Sequence, residues 1–160
     1  MIGVLSDSHD NVTLVRRAVS LFKGAGCELV LHAGDFVAPF AARELAVLGC
    51  PVKAVFGNCD GERDGLRKTF EDLGEIEDAP LVFSYQERRF LLCHYHFAVD
   101  SYASSNHYDI IVFGHTHKPE IRKSGKTLLL NPGETGGWLT GKSTVALLDP
   151  EKREAKIIPL

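Results

Sequence analysis

The sequence predicts an α/β protein with two packed β-sheets flanked by helices. Three observations carry this. Apolar strand runs alternate with helical periodicity three times from the N-terminus, strands then dominate beyond about residue 80, and the early strands end in short polar clusters. Ile2-Gly3-Val4-Leu5 is the first buried strand. Val12, Val15, Ala18, Val19 and Phe22 recur at helical spacing, and Gly24 and Gly26 close that helix. Leu29-Val30-Leu31 is the second strand, followed by a helix from Pro39 to Leu48. Val52 to Phe56 is the third strand, and a third helix covers Arg63 to Leu73. Such alternation implies parallel strands with helical crossovers. Leu81–Tyr85 and Arg88–Cys93 are separated only by Gln86 and Glu87 and read as a hairpin. Asp109–Phe113, Leu128–Leu130, Thr144–Leu148 and Ala155–Ile158 complete the strand-rich half.

A chain of 160 residues, 44% hydrophobic and 24% charged, suits one domain over residues 1–160 with one substantial core. A net charge of −3 gives no strong nucleic-acid signal. No apolar run reaches membrane-spanning length, and Met1-Ile2-Gly3-Val4-Leu5 lacks the basic region of a signal peptide. The four cysteines form no C-x-x-C pair, so reduced thiols and a cytoplasmic location are expected.

The polar clusters are Asp7-Ser8-His9, Gly34-Asp35, Gly57-Asn58-Cys59-Asp60, His94-Tyr95-His96 and Gly114-His115-Thr116-His117. Ligands of open α/β sheets bind beyond the carboxyl ends of the strands, so five such clusters can converge on one site. In extended chain, residues two apart point the same way, which lets Asp7 and His9 address one ion, and likewise His115 and His117. Glycines before Asp35, Asn58 and His115 permit tight turns there. Carboxylates, imidazoles and one amide suit Mn²⁺, Ni²⁺, Zn²⁺ or Fe, and no thiolate cage marks a structural zinc site. The donors exceed the needs of one tetrahedral ion, so two ions sharing a carboxylate is the economical arrangement.

This ordered set resembles the calcineurin-like metallophosphoesterase superfamily, and more narrowly the small prokaryotic phosphodiesterases of the YfcE and MJ0936 type. The likeness runs from Asp7 to the Asn131-Pro132-Gly133 turn. It implies a four-layer αββα fold, a double β-sheet sandwich flanked by helices. It also implies a phosphodiesterase that hydrolyses phosphate esters through a hydroxide bridging two divalent ions, Mn²⁺ foremost. By resemblance Asp7, His9 and His117 hold one ion, Asn58, His94 and His115 the other, and Asp35 bridges them. Asn58, Cys59 and His96 then face the substrate, a small phosphodiester or nucleotide-like molecule. A homo-oligomer is a further possibility of the family.

Three positions depart from the family pattern. Cys59 replaces a histidine thought to meet the substrate or protonate the leaving group, Tyr95 replaces a glycine, and Glu134 replaces a serine beside a possible phosphate path. His96 and Asp60 are candidate general acids. Each has a plainer reading, His96 as the orienting partner of another ligand and Asp60 as the cap of the following helix. Asp10 and Asn11 read as helix caps or phosphate contacts, and His32 as a structural histidine. Tyr95, Phe97 and Tyr102 read as a substrate wall or as core. A cysteine phosphatase is excluded because Gly65 stands where its loop needs arginine, and no His-Glu-x-x-His marks a metalloprotease. The alternative function is an inactive, protein-binding scaffold of the same fold, against which the complete donor set argues. With no large insertion to form a lid, a shallow, open site is expected.

Overall fold

The computed structural model describes residues 1–160. The chain runs β1 (Ile2–Leu5), α1 (Val12–Gly24), β2 (Leu29–His32), α2 (Pro39–Ala42), a 3-10 helix (Arg43–Leu48), β3 (Val52–Val55), α3 (Arg63–Phe70) and β4 (Gly74–Glu77). It continues through β5 (Leu81–Tyr85), β6 (Arg88–Leu92), α4 (Val99–Ser104), β7 (Ile110–Val112), β8 (Glu120–Ser124), β9 (Thr127–Asn131), β10 (Thr144–Asp149) and β11 (Glu154–Pro159).

One sheet has the order β11-β10-β1-β2-β3-β4 and the other β5-β6-β7-β9-β8. In the first, β1 to β4 are parallel and β10 and β11 antiparallel. In the second, β6, β7 and β9 are parallel between antiparallel edges. Alternation of side chains creates the layers. Ile2, Val4, Leu29 and Leu31 point into the inter-sheet core and meet Phe90, Leu92, Ile110, Val112, Leu128 and Leu130. Leu5 and Val30 face the opposite way, onto Val15, Val19 and Phe22 of α1. On the far side, Leu91, Ile111 and Leu129 pack against Val99 and Ala103 of α4. The result is a four-layer αββα sandwich.

The expected helix from Pro39 to Leu48 divides into one α-turn and a 3-10 helix closed by Gly49 at φ 73°. The expected third helix stops at Phe70 instead of Leu73. The Gln86-Glu87 hairpin has both residues at positive φ, the backbone of a two-residue primed turn. Strands β4 and β8 and helix α4 have no counterpart among the sequence expectations. Each edge strand buries little, β4 only Ile76, so neither displays an apolar run. Helix α4 spans six residues, too few for a helical period to show. No helix is long and apolar enough to cross a membrane, and all four cysteines are free.

Candidate metal centre

The loops that follow β1, β2, β3, β6 and β7 meet at one edge of the sandwich. The backbone there is not extended. Asp7, His9, Asp35, His115 and His117 have φ of 51°, 42°, 61°, 69° and 60°. Non-glycine residues in this region each cost roughly 1–2 kcal/mol, so the surroundings must hold them. Asp7 N–H donates to Gly34 O and His9 N–H to Asp35 O, both at 3.0 Å, while Gly136 N–H donates to Asp7 O at 3.0 Å. The extended-chain argument for paired donors therefore fails. His115 and His117 diverge, and Asp7 and His9 converge through left-handed turns.

Two of the glycines are needed for close approach. A Cβ on Gly57 would lie 2.1 Å from Asp35 Oδ1, and one on Gly114 would lie 2.1 Å from Ser6 Oγ. Their bareness lets the loops after β3 and β7 press against the loops after β1 and β2.

The donor atoms form three overlapping groups. Those of Asp7, His9 and His117 lie within 4.8 Å of one another, as do those of Asp7, Asp35 and His94 and those of His9, Asp35 and Cys59. Asp35 Oδ2 is central, 3.6 Å from His9 Nε2 and 3.5 Å from His94 Nε2. Asn58 Oδ1 lies 2.9 Å from both His94 Nε2 and His115 Nδ1.

Two histidines have their tautomers dictated by their outer partners. His94 Nδ1 sits 2.8 Å from Ala33 O, and a carbonyl only accepts, so Nδ1 carries the proton. Nε2 of His94 is then the atom left to face the oxygens of Asn58 and Asp35. His117 Nδ1 donates to Glu134 Oε2 at 3.0 Å, which aims its Nε2 lone pair at Asp7 Oδ1, 3.5 Å away. Lone pairs facing oxygen lone pairs call for a cation between them. Asp7 Oδ1 and His9 Nε2 are likewise buried with no hydrogen-bond partner. Burial raises the Asp7 carboxyl above its ordinary range, with the nearby Ser6 hydroxyl and the imidazoles of His94 and His117 opposing it. Divalent cations fit this donor set and would relieve each of these features.

Several expectations require correction. Glu134 does not stand in a phosphate path. It is fully buried and accepts from His117, from Leu139 N–H at 3.2 Å and from Thr140 N–H and Oγ1 at 2.5 Å. Burial alone would raise its carboxyl, but these bonds hold it at about 2. Asp60 is not the cap of α3, whose N-cap is Glu62. Its two oxygens accept from the N–H groups of Asp35 (3.1 Å), Phe36 (2.7 Å), Val37 (2.8 Å) and Gly57 (2.7 Å), clamping the Asp35 loop to the Asn58 loop. His96 hydrogen-bonds no ligand; it is exposed and stacks on His115 with centroids 5.7 Å apart.

Cys59 is exposed, and its N–H donates to Asp35 Oδ1 at 2.8 Å. Burial of the sulfur and the Asp35 carboxylate push its thiol up to about 11, a poor thiolate nucleophile. Asn11 caps α1, accepting from Leu14 N–H at 3.3 Å, and Asp10 accepts from Ala38 N–H at 3.1 Å. Tyr102 packs with the core under α4, whereas Tyr95 and Phe97 are exposed beside His115.

Other supports were not legible beforehand. His32 is buried and accepts from Gly34 N–H through Nδ1 at 3.1 Å, so Nε2 donates to Ser8 Oγ at 3.0 Å. Burial, then His94 and His9, hold it neutral, well below the ordinary imidazole range. Asn131 Nδ2 donates to Gly114 O at 2.9 Å and Thr116 Oγ1 at 3.0 Å, shaping the loop that carries His115 and His117. The site opens onto a cavity of about 410 Å³ bordered by Trp138 and Leu139. The one available signal for this rim was a lone tryptophan after Gly136-Gly137.

Comparison with known proteins agrees with this geometry. The profile of the Calcineurin-like phosphoesterase superfamily domain matches residues 1–153. Phosphodiesterase MJ0936 of Methanocaldococcus jannaschii is 36% identical, over 99% of this chain and 98% of its own. The solved structure of a novel archaeal phosphodiesterase superposes with a TM-score of 0.94 at 35% identity, covering 99% of both chains. Vps29 from Entamoeba histolytica, in complex with zinc, gives a TM-score of 0.69 at 19% identity over 99% of this chain and 97% of its own, and shares the fold. With these matches spanning nearly its whole length, and a metal-binding cluster at the strand ends suited to two ions, the chain belongs to the calcineurin-like phosphoesterase superfamily.

Proposed function

We propose that this chain, acting as one catalytic domain, hydrolyses phosphodiesters of small or nucleotide-like alcohols with two divalent cations. Asp7, His9 and His117 would hold one cation and Asn58, His94 and His115 the other, with the central Asp35 carboxylate available to both. The carrying observation is the pair of locked tautomers. Ala33 O and Glu134 each take an Nδ1 proton, so both Nε2 lone pairs face carboxylate or amide oxygens. Such outer partners commonly orient metal-bound imidazoles.

Bound there, the cations supply an activated water and Lewis acidity toward the phosphate oxygens. The chain does the rest. Asp60 fixes the two loops that carry Asp35 and Asn58 through backbone amides. Asn58 and Cys59, both exposed at the mouth, contact the incoming phosphate. His96, exposed and stacked on His115, is the imidazole available to give the leaving oxygen a proton. Asp60 is unsuited to that task because its oxygens already accept four N–H donors.

Mn²⁺ is the proposed ion, and the same donors accept Ni²⁺, Zn²⁺ or Fe. We place the protein in the cytoplasm and allow a homo-oligomer.

The test is hydrolysis of bis-p-nitrophenyl phosphate and p-nitrophenyl phosphate by chelator-stripped protein before and after Mn²⁺, with bound metal counted. The proposal requires restored cleavage of the diester at about two ions per chain. Full loading with cleavage of neither ester would sink it in favour of a scaffold.

A further inference from the structure

The metal cluster does not explain the side chains around its mouth. Trp138 is 65% exposed and Leu139 76%, a costly display of apolar surface unless something covers it. Both border the cavity that His9, Asp35 and His117 open into. At the other end of the cluster, Phe97 is 75% exposed and packs with Tyr95 against His115. No Lys or Arg lines this cavity.

Trp138 is exposed yet firmly held. Its Nε1–H donates to His9 O at 3.1 Å. The preceding Gly136 donates through N–H to Asp7 O at 3.0 Å and accepts from Asn11 Nδ2 at 2.9 Å. A Cβ on Gly136 would lie 2.8 Å from Ser8 O and 3.0 Å from the indole Cδ1, so the loop rests directly on the Asp7–His9 segment. On its other side, Leu139 and Thr140 N–H are anchored on Glu134. The indole is thus a fixed, largely exposed ring at the rim of the cavity into which the metal-binding side chains open.

We infer that Trp138 is a specificity-determining platform on which the planar base of a nucleoside, carried on one ester arm of the substrate, stacks. The inference rests on the phosphodiesterase reading and narrows it from diesters in general to nucleoside-bearing diesters. A base presents a π-face to an indole whatever its sequence identity, and such stacking typically changes apparent affinity by roughly five- to a hundredfold.

Trp138 is the single tryptophan in the chain, so intrinsic fluorescence reports on it alone. Adenosine 5′-monophosphate titrated into Mn²⁺-loaded protein should quench the emission saturably, while inorganic phosphate at equal concentration should leave it unchanged. Equal responses to both would overturn the inference. The second measurement is the ratio of kcat/KM for thymidine 5′-(p-nitrophenyl phosphate) to that for methyl p-nitrophenyl phosphate, which share a leaving group. Trp138→Ala should cut this ratio roughly five- to a hundredfold, and Trp138→Phe should restore most of it. An unchanged ratio in Trp138→Ala rejects the platform. If wild-type protein cleaves neither of these esters but does cleave bis-p-nitrophenyl phosphate, the platform is rejected; if it cleaves none of the three, the phosphodiesterase reading has failed, and the fluorescence titration alone decides whether the base stacks.

Discussion

The two ends of the metal cluster are built differently. At the end formed by Asp7, His9 and His117, the supports are buried and charged. Asp7 is fully buried, His117 leans on a buried Glu134, and His32 braces the intervening Ser8 from below. At the end formed by Asn58, His94 and His115, only His94 is buried. Asn58 is exposed beside Cys59, and His115 is contacted mainly by the exposed rings of Tyr95, His96 and Phe97. Preorganisation lowers the cost of binding, so the difference teaches that the two cations need not be held equally. The first end rests on buried, charged supports, and the second on side chains open to solvent.

The comparison breaks most completely if its shared element is removed. Asp35→Asn keeps the oxygen that accepts from Cys59 N–H but removes the charge between His9 and His94. Diester hydrolysis should fall by at least about 10³-fold, metal content should drop at both ends, and the circular-dichroism melt should stay cooperative. Retained activity would reject the shared role.

Glu134→Gln attacks only the anchored end. It keeps an acceptor for His117 Nδ1 and removes the charge, and metal affinity there should weaken about 10- to 100-fold. Calorimetric titration of the wild type should resolve a tighter and a weaker Mn²⁺ event, and in the variant the tighter one should move toward the weaker. A shift confined to the weaker event would invert the comparison.

His32→Ala tests the brace beneath the first end. Losing its ring from Phe36 and its bond to Ser8 should cost about 2–3 kcal/mol of folding stability in urea titrations. The pH dependence has a definite sign. His32 sits well below 6.5 when folded, so the unfolded chain binds the proton first. Metal-free wild type should therefore lose stability as pH falls below 6.5, and the variant should lose less over that range.

Cys59→Ala is the mildest change, at the open end. In the metal-free chain the Cys59 thiol stands at about 11, which disfavours the thiolate. The variant should lose less than the roughly hundredfold that removing a general acid costs. A larger loss at unchanged metal content would give the sulfur a chemical role.

Much of this site was legible because it is written in short, local patterns. Asp7-x-His9, Gly34-Asp35, Asn58 and Gly114-His115-Thr116-His117 each follow a strand that its own apolar run announces. A parallel sheet brings such ends to one edge, so their convergence followed from order alone. The local geometry was misread, since extended spacing was assumed where the residues turn through positive φ. The partners of Asp60, His32, Glu134 and Trp138 were not readable, although His32 is the structural histidine expected, because those partners lie on other loops. Asp60 meets the loop after β2, His32 meets Ser8, Glu134 meets His117, and Trp138 meets His9.

By itself, then, the sequence determined the layers, the family and the candidate donors. Apolar periodicity reports which faces are buried, and donor side chains identify themselves by type. Only the tertiary structure decided which outer partners hold Nδ1 of His94 and His117, and what surrounds the mouth. Those depend on distances between loops far apart in the chain, set by how tightly Gly57 lets the loops after β2 and β3 approach and Gly114 lets the loop after β7 approach that after β1 in the other sheet.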